Sequence, residues 1–251
     1  MGLTLFILIL FQIPLLVTVL YSFFSLSYSG EPTSFTLLWY NKLLQTPRLI
    51  DGLKQSLIVA TANTFVVTIL GTLGAFALER TRLKTKNWPT LYLMIPLLVP
   101  EIVFGLSLLG FFIFWGIPLG TFTMIIAHIT FSIPYAIFII RARLKNFDIS
   151  IEDAAKDLGA SSWQTFRLIT LPLISPAILS AAVIAFILSF DDFLISFFTT
   201  GVGTDTLPLV LYGMIRSGLG RETNALSSLF LLMGLAVVFL APKAREKILF
   251  K

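Results

Sequence analysis

Residues 102–140 read IVFGLSLLGFFIFWGIPLGTFTMIIAHITFSIPYAIFII, with no Asp, Glu, Lys or Arg among them. A helix crosses the hydrocarbon core of a bilayer in about 20 mainly apolar residues. The stretch is too long for one crossing and suits two. Near its middle, Trp115-Gly116-Ile117-Pro118-Leu119-Gly120 brings together the glycines and proline that favour a tight turn. Two membrane helices joined by a short hairpin follow.

Working outward, apolar segments of spanning length recur at roughly 3–24, 55–78, 90–114, 121–140, 173–199 and 223–241. Only 12% of the residues are charged and 57% are hydrophobic, against about 25% charged in soluble domains. The mean hydropathy is +0.93. A water-soluble fold of this length cannot hide so much apolar surface. The expectation is an all-α membrane protein of six transmembrane helices, with 1–251 a single transmembrane domain. Met1 to Gly30 carries no charge, and Phe23-Phe24 is a poor cleavage context. Without a basic leading region this reads as an uncleaved span rather than a signal peptide. The absence of cysteine excludes disulfides and thiolate metal sites.

The net charge of +5 is placed for a membrane rather than for nucleic acid. Arg80, Arg82, Lys84 and Lys86 follow span two. Arg141, Arg143, Lys145, Lys156 and Arg167 follow span four, and Lys243, Arg245, Lys247 and Lys251 end the chain. Lys42, Arg48, Lys54, Arg216 and Arg221 fall on the other side. The positive-inside bias therefore puts both termini in the cytoplasm. The loops 25–54 and 200–222 are then external, and Trp39, Tyr40 and Tyr212 suit the outer interface.

Three acids fall inside spans. Glu101 lies near the middle of span three, after Pro96 and Pro100, while Asp191 and Asp192 lie in the outer part of span five. A carboxylate at the centre of a membrane helix costs about 2.5–3.5 kcal/mol on insertion scales, so such groups face a cavity or a partner rather than lipid. No Lys or Arg lies in a span to pair with them. A path lined this way suits a cation, and a molecule with several ammonium groups separated by methylenes would match spaced carboxylates. Trp39, Tyr40 and Tyr135 are candidate cation–π partners. Adjacent residues on a helix point about 100° apart, so Asp191 and Asp192 are not expected to line one narrow path equally. One is expected to bond to backbone instead. His128, the single histidine, lacks companion ligands and reads as a packed polar side chain; Ser189 has no base beside it and is no nucleophile.

The cytoplasmic loop 141–172 has helical grammar. Ser150 precedes Glu152 and Asp153, acids in a first turn. Ile151, Ala154, Ala155 and Leu158 recur at helical spacing, and Gly159 ends the helix. Ser161 with Gln164 forms a capping box for a second helix, whose apolar face is Trp163, Phe166 and Ile169 and whose end is Leu171-Pro172. Such an apolar unit outside the bilayer is covered either by a partner or by the chain's own membrane helices.

Asp153-Ala154-Ala155, then Gly159, then Ile169-Thr170-Leu171-Pro172 resembles the EAA loop of ABC importer permeases, with Asp in place of the usual Glu. The stretches Ala127–Phe131, Ala154–Ser161, Ser189–Asp192 and Asn224–Leu226 are similar to the polyamine (spermidine/putrescine) permeases within that family. The resemblance implies a type I importer permease fold (MetI-like) in a bacterial inner membrane. It implies ATPase coupling through Asp153, Ala154, Ala155 and Gly159, and a substrate path that includes Glu101, Ser189, Asp191, Asp192 and Trp39. It also implies partners: a second related permease, two copies of an ATPase that binds ATP and Mg, and an external polyamine-binding protein. The chain itself has no G-x-x-x-x-G-K-[ST] phosphate loop and no cofactor fingerprint, so it is expected to bind no cofactor and to be no enzyme. The outer stretch Leu207 to Gly218 is a candidate landing place for the binding protein. The rival readings are a permease for another small organic cation and an ion-coupled secondary transporter.

Overall fold

A computed structural model describes residues 2–26, 32–80, 87–217 and 223–232. Arg82, Lys84, Lys86, Arg221, the four basic residues after Leu240 and the sixth span beyond Leu232 lie outside them. The chain divides into two compact units, one from Asp51–Leu209 and one from the two ends of the chain.

In the unit built from the ends, α1 (Gly2–Ser22) is an apolar helix whose Phe6, Phe11 and Leu20 are exposed, as lipid contact requires. Two short strands follow, β1 (Phe24–Leu26) and β2 (Pro32–Phe35), paired antiparallel with Phe24 opposite Phe35. Apart from this hairpin the described elements are helical, as an all-α fold requires. The hairpin is held by rings as well as by its ladder, Phe35 lying 6.0 Å from Phe23 and 6.3 Å from Phe24. Next comes α2 (Leu38–Gln45), whose Tyr40 hydroxyl bonds Ser22 and Ser228, each at 2.8 Å. Those two bonds tie α1 and α2 to the helix at Thr223–Leu232.

The larger unit holds most of α3 (Pro47–Arg80), then α4 (Asn87–Leu98), α5 (Glu101–Phe114) and α6 (Thr121–Lys145). Beyond them come α7 (Ser150–Asp157), α8 (Ser162–Thr165), α9 (Leu171–Phe190) and α10 (Leu194–Thr199), and α11 (Leu207–Arg216) begins at its boundary. Among the described residues three helices are long and apolar enough to span a bilayer: α3, α6 and the continuous rod Ser162–Phe190. The turn Trp115–Gly120 separates α5 from α6, as the glycines and proline foretold.

Two expected spans are broken. Span three is α4 and α5, bent by 102°. Pro100 has no N–H to give and disfavours helical geometry at Val99, so the helix stops there and restarts at Glu101. Span five stops at Phe190 and resumes at Leu194 without a proline. A third difference runs the other way. Leu171-Pro172 does not end the second loop helix, because Phe166–Thr170 winds as a π-helical turn and carries it into α9. The wider turn, with Leu171 N–H reaching back to Phe166, accommodates a proline that lacks a donor.

The core lies where α3, α6 and α9 meet, around Val67, Ala75, Ala136, Ile140, Ile174, Ala181 and Ala185. Lipid supplies no hydrophobic push between helices, so close approach by small residues and interhelical hydrogen bonds carries the packing. Buried Asn63 shows the second device, donating to the Ala185 carbonyl at 2.9 Å and to Ser132 at 3.4 Å, so that one amide joins all three helices. Gly71 shows the first: a Cβ there would stand 2.6 Å from that of Ala136. Gly71→Ala is therefore expected to destabilise the solubilised protein by about 1–3 kcal/mol through overpacking. Ala136→Gly in the same chain should recover most of it; thermal unfolding in detergent makes the comparison.

Candidate functional site

Glu101, Asp191 and Asp192 come together at the two helix breaks. With Ile187, Leu188, Phe193 and Leu194 they line a cavity of about 380 Å³. No basic side chain is among the lining residues. The sequence placed Asp191 and Asp192 on one continuous helix, facing 100° apart; the break lets both reach the cavity.

Each acid is positioned differently. Asp191 closes α9, its N–H bonded to the Ile187 carbonyl, and its side chain is exposed. The C-terminus of α9 gathers unpaired carbonyls and partial negative charge beside it, which favours a cation. Asp192 is buried, and its carboxylate accepts from the backbone N–H of Ile195 at 3.3 Å and of Ser196 at 2.7 Å. It thus serves the orphan donors of α10, the backbone role expected of one of the pair. That competition for backbone donors also explains why span five breaks without a proline. Glu101 opens α5 and lines the same cavity as Asp192. Gly105 keeps these elements close, since a Cβ there would meet Phe198 of α10 at 2.8 Å.

Three other expected residues sit elsewhere. Ser189 is buried and bonded to His128 Nδ1 at 2.6 Å, outside the cavity lining. Tyr135 is half-buried, its ring 5.6 Å from Phe131, and it too is outside the lining. Trp39 belongs to the other compact unit. Its indole N–H donates to the Phe24 carbonyl at 2.9 Å, and Lys42 lies 5.1 Å from the centre of its ring, so its cation–π face already holds the chain's own cation.

On the loop, α7 carries Asp153, Ala154 and Ala155, and Gly159 closes it with φ +88°, a left-handed value suited to glycine. Asp148 precedes α7 and accepts from Ser150 N–H at 3.0 Å; bonding to Ser150 holds its carboxyl below the usual range. The capping box is formed on both sides, Ser161 N–H to Gln164 Oε1 at 2.8 Å and Gln164 N–H to Ser161 Oγ at 3.3 Å. Leu158, 90% exposed, and Trp163, 65% exposed, present apolar surface on this loop.

Sequence reasoning gave the leading acidic role here to Asp153, whose side chain is exposed and, among the described residues, pairs with Lys156 at 3.2 Å. Its neighbour Glu152 holds the loop in place. Glu152 Oε1 accepts from Arg80 at 2.6 Å and from Thr170 at 2.7 Å, joining α7 to the end of α3 and to the π-helical turn. Arg141 adds a parallel tie, bonding Glu79 at 3.1 Å and Thr90 at 2.9 Å. No local pattern announces these contacts, because the partners lie far apart in sequence.

Comparison with known proteins gives a consistent result. Residues 68–241 match the family described as the inner membrane component of binding-protein-dependent transport systems. The chain is 36% identical to the spermidine/putrescine transport system permease protein PotC of Escherichia coli K12, over 94% of this chain and 89% of that one. It is 36% identical to the putrescine transport system permease protein PotI of the same organism, over 93% of this chain and 87% of that one. A crystal structure of a bacterial ABC transporter that imports the acidic polysaccharide alginate superposes with a TM-score of 0.73 at 16% identity. That match covers 98% of this chain and 94% of the other, and establishes a shared fold.

The loop geometry separates two adjacent acids by experiment. Glu152→Ala is expected to cost the solubilised protein about 1–2 kcal/mol, the worth of a partly buried charge-assisted pair. Asp153→Ala should leave the melting temperature within a degree. Adding Arg80→Ala to Glu152→Ala should cost little more, since the bond is already lost; thermal scans of the four proteins test all three statements.

Proposed function

The chain belongs to the family of inner membrane components of binding-protein-dependent transport systems, and from that premise we propose that it forms half of the path by which an ATP-driven importer admits polyamines. The observation that carries the reading is the cavity where two broken helices present Glu101, Asp191 and Asp192 with no basic side chain in the lining. A polyamine is a chain of ammonium groups and methylenes. Asp191 and Glu101 offer acceptors for the ammonium groups, while Ile187, Leu188, Phe193 and Leu194 offer apolar wall for the methylenes between them. Breaks in membrane helices are tolerated where they line a cavity, and helix C-terminal carbonyls there favour cations. The names of the two Escherichia coli relatives agree with a polyamine substrate.

In this reading the chain crosses a bacterial inner membrane six times with both termini in the cytoplasm, as the distribution of Lys and Arg supports. A second related permease completes the path, and an external binding protein delivers substrate near α11. Two ATPase copies bind ATP and Mg²⁺. Loop 141–172 receives one of them, with Asp153, Ala154, Ala155 and Gly159 in the contact. The exposed Leu158 and Trp163 give that loop an apolar face for a partner to cover. An ion-coupled transporter would have no use for such a face.

Uptake of labelled putrescine and spermidine by cells carrying the complete transporter tests the assignment at equal membrane abundance. Asp191→Asn and Glu101→Gln should each reduce uptake at low substrate by tenfold or more. Wild-type uptake in both variants would remove the polyamine assignment.

A further inference from the structure

The one histidine of the chain stands directly behind the cavity. His128, on α6, is 1% exposed, and both ring nitrogens are engaged. Nδ1 lies 2.6 Å from Ser189 Oγ, while Nε2 lies 3.3 Å from Asp192 Oδ2 and 3.1 Å from Ser196 Oγ. One ring thus joins α6, the end of α9 and the start of α10, yet it is not among the groups that line the cavity.

The donors and acceptors allow one self-consistent arrangement for a neutral ring. A carboxylate only accepts, and the Asp192 carboxylate is already accepting from two backbone N–H groups, so Nε2 carries the proton toward it. Nδ1 is then bare and accepts from the Ser189 hydroxyl. The carboxylate sets the tautomer, the Ser189 hydroxyl holds the ring by its other nitrogen, and the Nε2–H donor helps to fix the Asp192 carboxylate. Asp192 itself is part of the cavity lining, beside Glu101. A line of side chains therefore runs from a buried serine to an acid in the cavity wall: Ser189, His128, Asp192.

We propose that His128, its ring oriented by Ser189, is a positioning residue that locks Asp192 as the fixed back wall of the cavity, leaving Asp191 and Glu101 to meet the ammonium groups of the substrate. This inference rests on the polyamine reading and divides its three acids into two kinds. Asp192 shapes the site and Asp191 contacts the cargo. Ser189, which never touches the cargo, matters through the ring it orients.

Concentration-dependent uptake of labelled putrescine, by the complete transporter at equal membrane abundance, tests the proposal. His128→Ala should raise the half-saturating concentration tenfold or more, with a much smaller change in maximal rate. A purely structural defect would instead lower the maximal rate at an unchanged half-saturating concentration. His128→Gln, which returns an N–H donor near the Nε2 position, should recover most of the loss. Ser189→Ala should raise the half-saturating concentration about threefold, and it carries the test if His128→Ala fails to reach the membrane. His128→Ala combined with Asp192→Asn should be no worse than Asp192→Asn alone, whereas His128→Ala combined with Asp191→Asn should show both losses. Unchanged half-saturation in His128→Ala or Ser189→Ala, failure of Gln to rescue, or full additivity with Asp192→Asn would overturn the positioning role. If Asp191→Asn and Glu101→Gln lose uptake while His128→Ala keeps wild-type half-saturation, only this inference falls. If those two variants also transport normally, the polyamine path falls with it.

Discussion

Inside a bilayer no water is at hand to satisfy a broken helix, so every interrupted backbone bond must be answered by the protein itself. Asp192 is that answer at the interruption of span five. Its carboxylate takes up the N–H groups of Ile195 and Ser196 that the break sets free, and it lies 3.3 Å from His128 Nε2 and in the same cavity lining as Glu101. The acid that permits the break is thereby held in place by the break. Glu101 joins that lining where Pro100 halts α4 and a new helix starts at the next residue. Two local failures of helix geometry, one from a proline and one from an aspartate, thus create a single place where carboxylates and helix ends share a cavity.

The rest of the larger unit keeps that place in register. Gly71 and Gly74 let α3 press against Ala136 and Ile137 of α6, and Asn63 fastens both helices to α9. Gly105 sets α5 against α10. These contacts are short and nearly rigid. In lipid they replace the hydrophobic collapse that holds a soluble core together. The apolar side chains left over, such as Phe65, Phe114 and Leu179, are exposed because lipid rather than water meets them.

Much of this was legible in the residues. The uncharged run from Ile102 to Ile140 with its glycine-proline turn gave α5, the turn and α6, and Ser161 with Gln164 gave the start of the rod that becomes α9. Gly159 marked the end of α7. The three acids within apolar segments stood out because lipid makes a carboxylate expensive. What stayed hidden was tertiary. Nothing near Asp192 says that its side chain will outcompete a helix for two N–H groups. Nothing near Arg80 says that it will meet Glu152, and the lone His128 carries no sign of the three partners it finds. Pro172 misled in the opposite direction: its missing donor normally stops a helix, and a π-helical turn absorbed it instead. Trp39, placed on the substrate path by resemblance, bonds the Phe24 carbonyl and has Lys42 over its ring, contacts that its sequence neighbourhood does not announce.

That π-helical turn has a mechanical consequence. Because winding continues through Phe166–Thr170, Ser162–Phe190 is one rod of 29 residues, roughly 43 Å long at 1.5 Å per residue. One end abuts the capping box at Ser161, and the other is Phe190, next to Asp191. A helix of that length ties the loop covalently to the acid beside its far tip, with no relay of separate elements between them. The over-wide turn near its base and Pro176 shortly beyond it are where such a rod can flex.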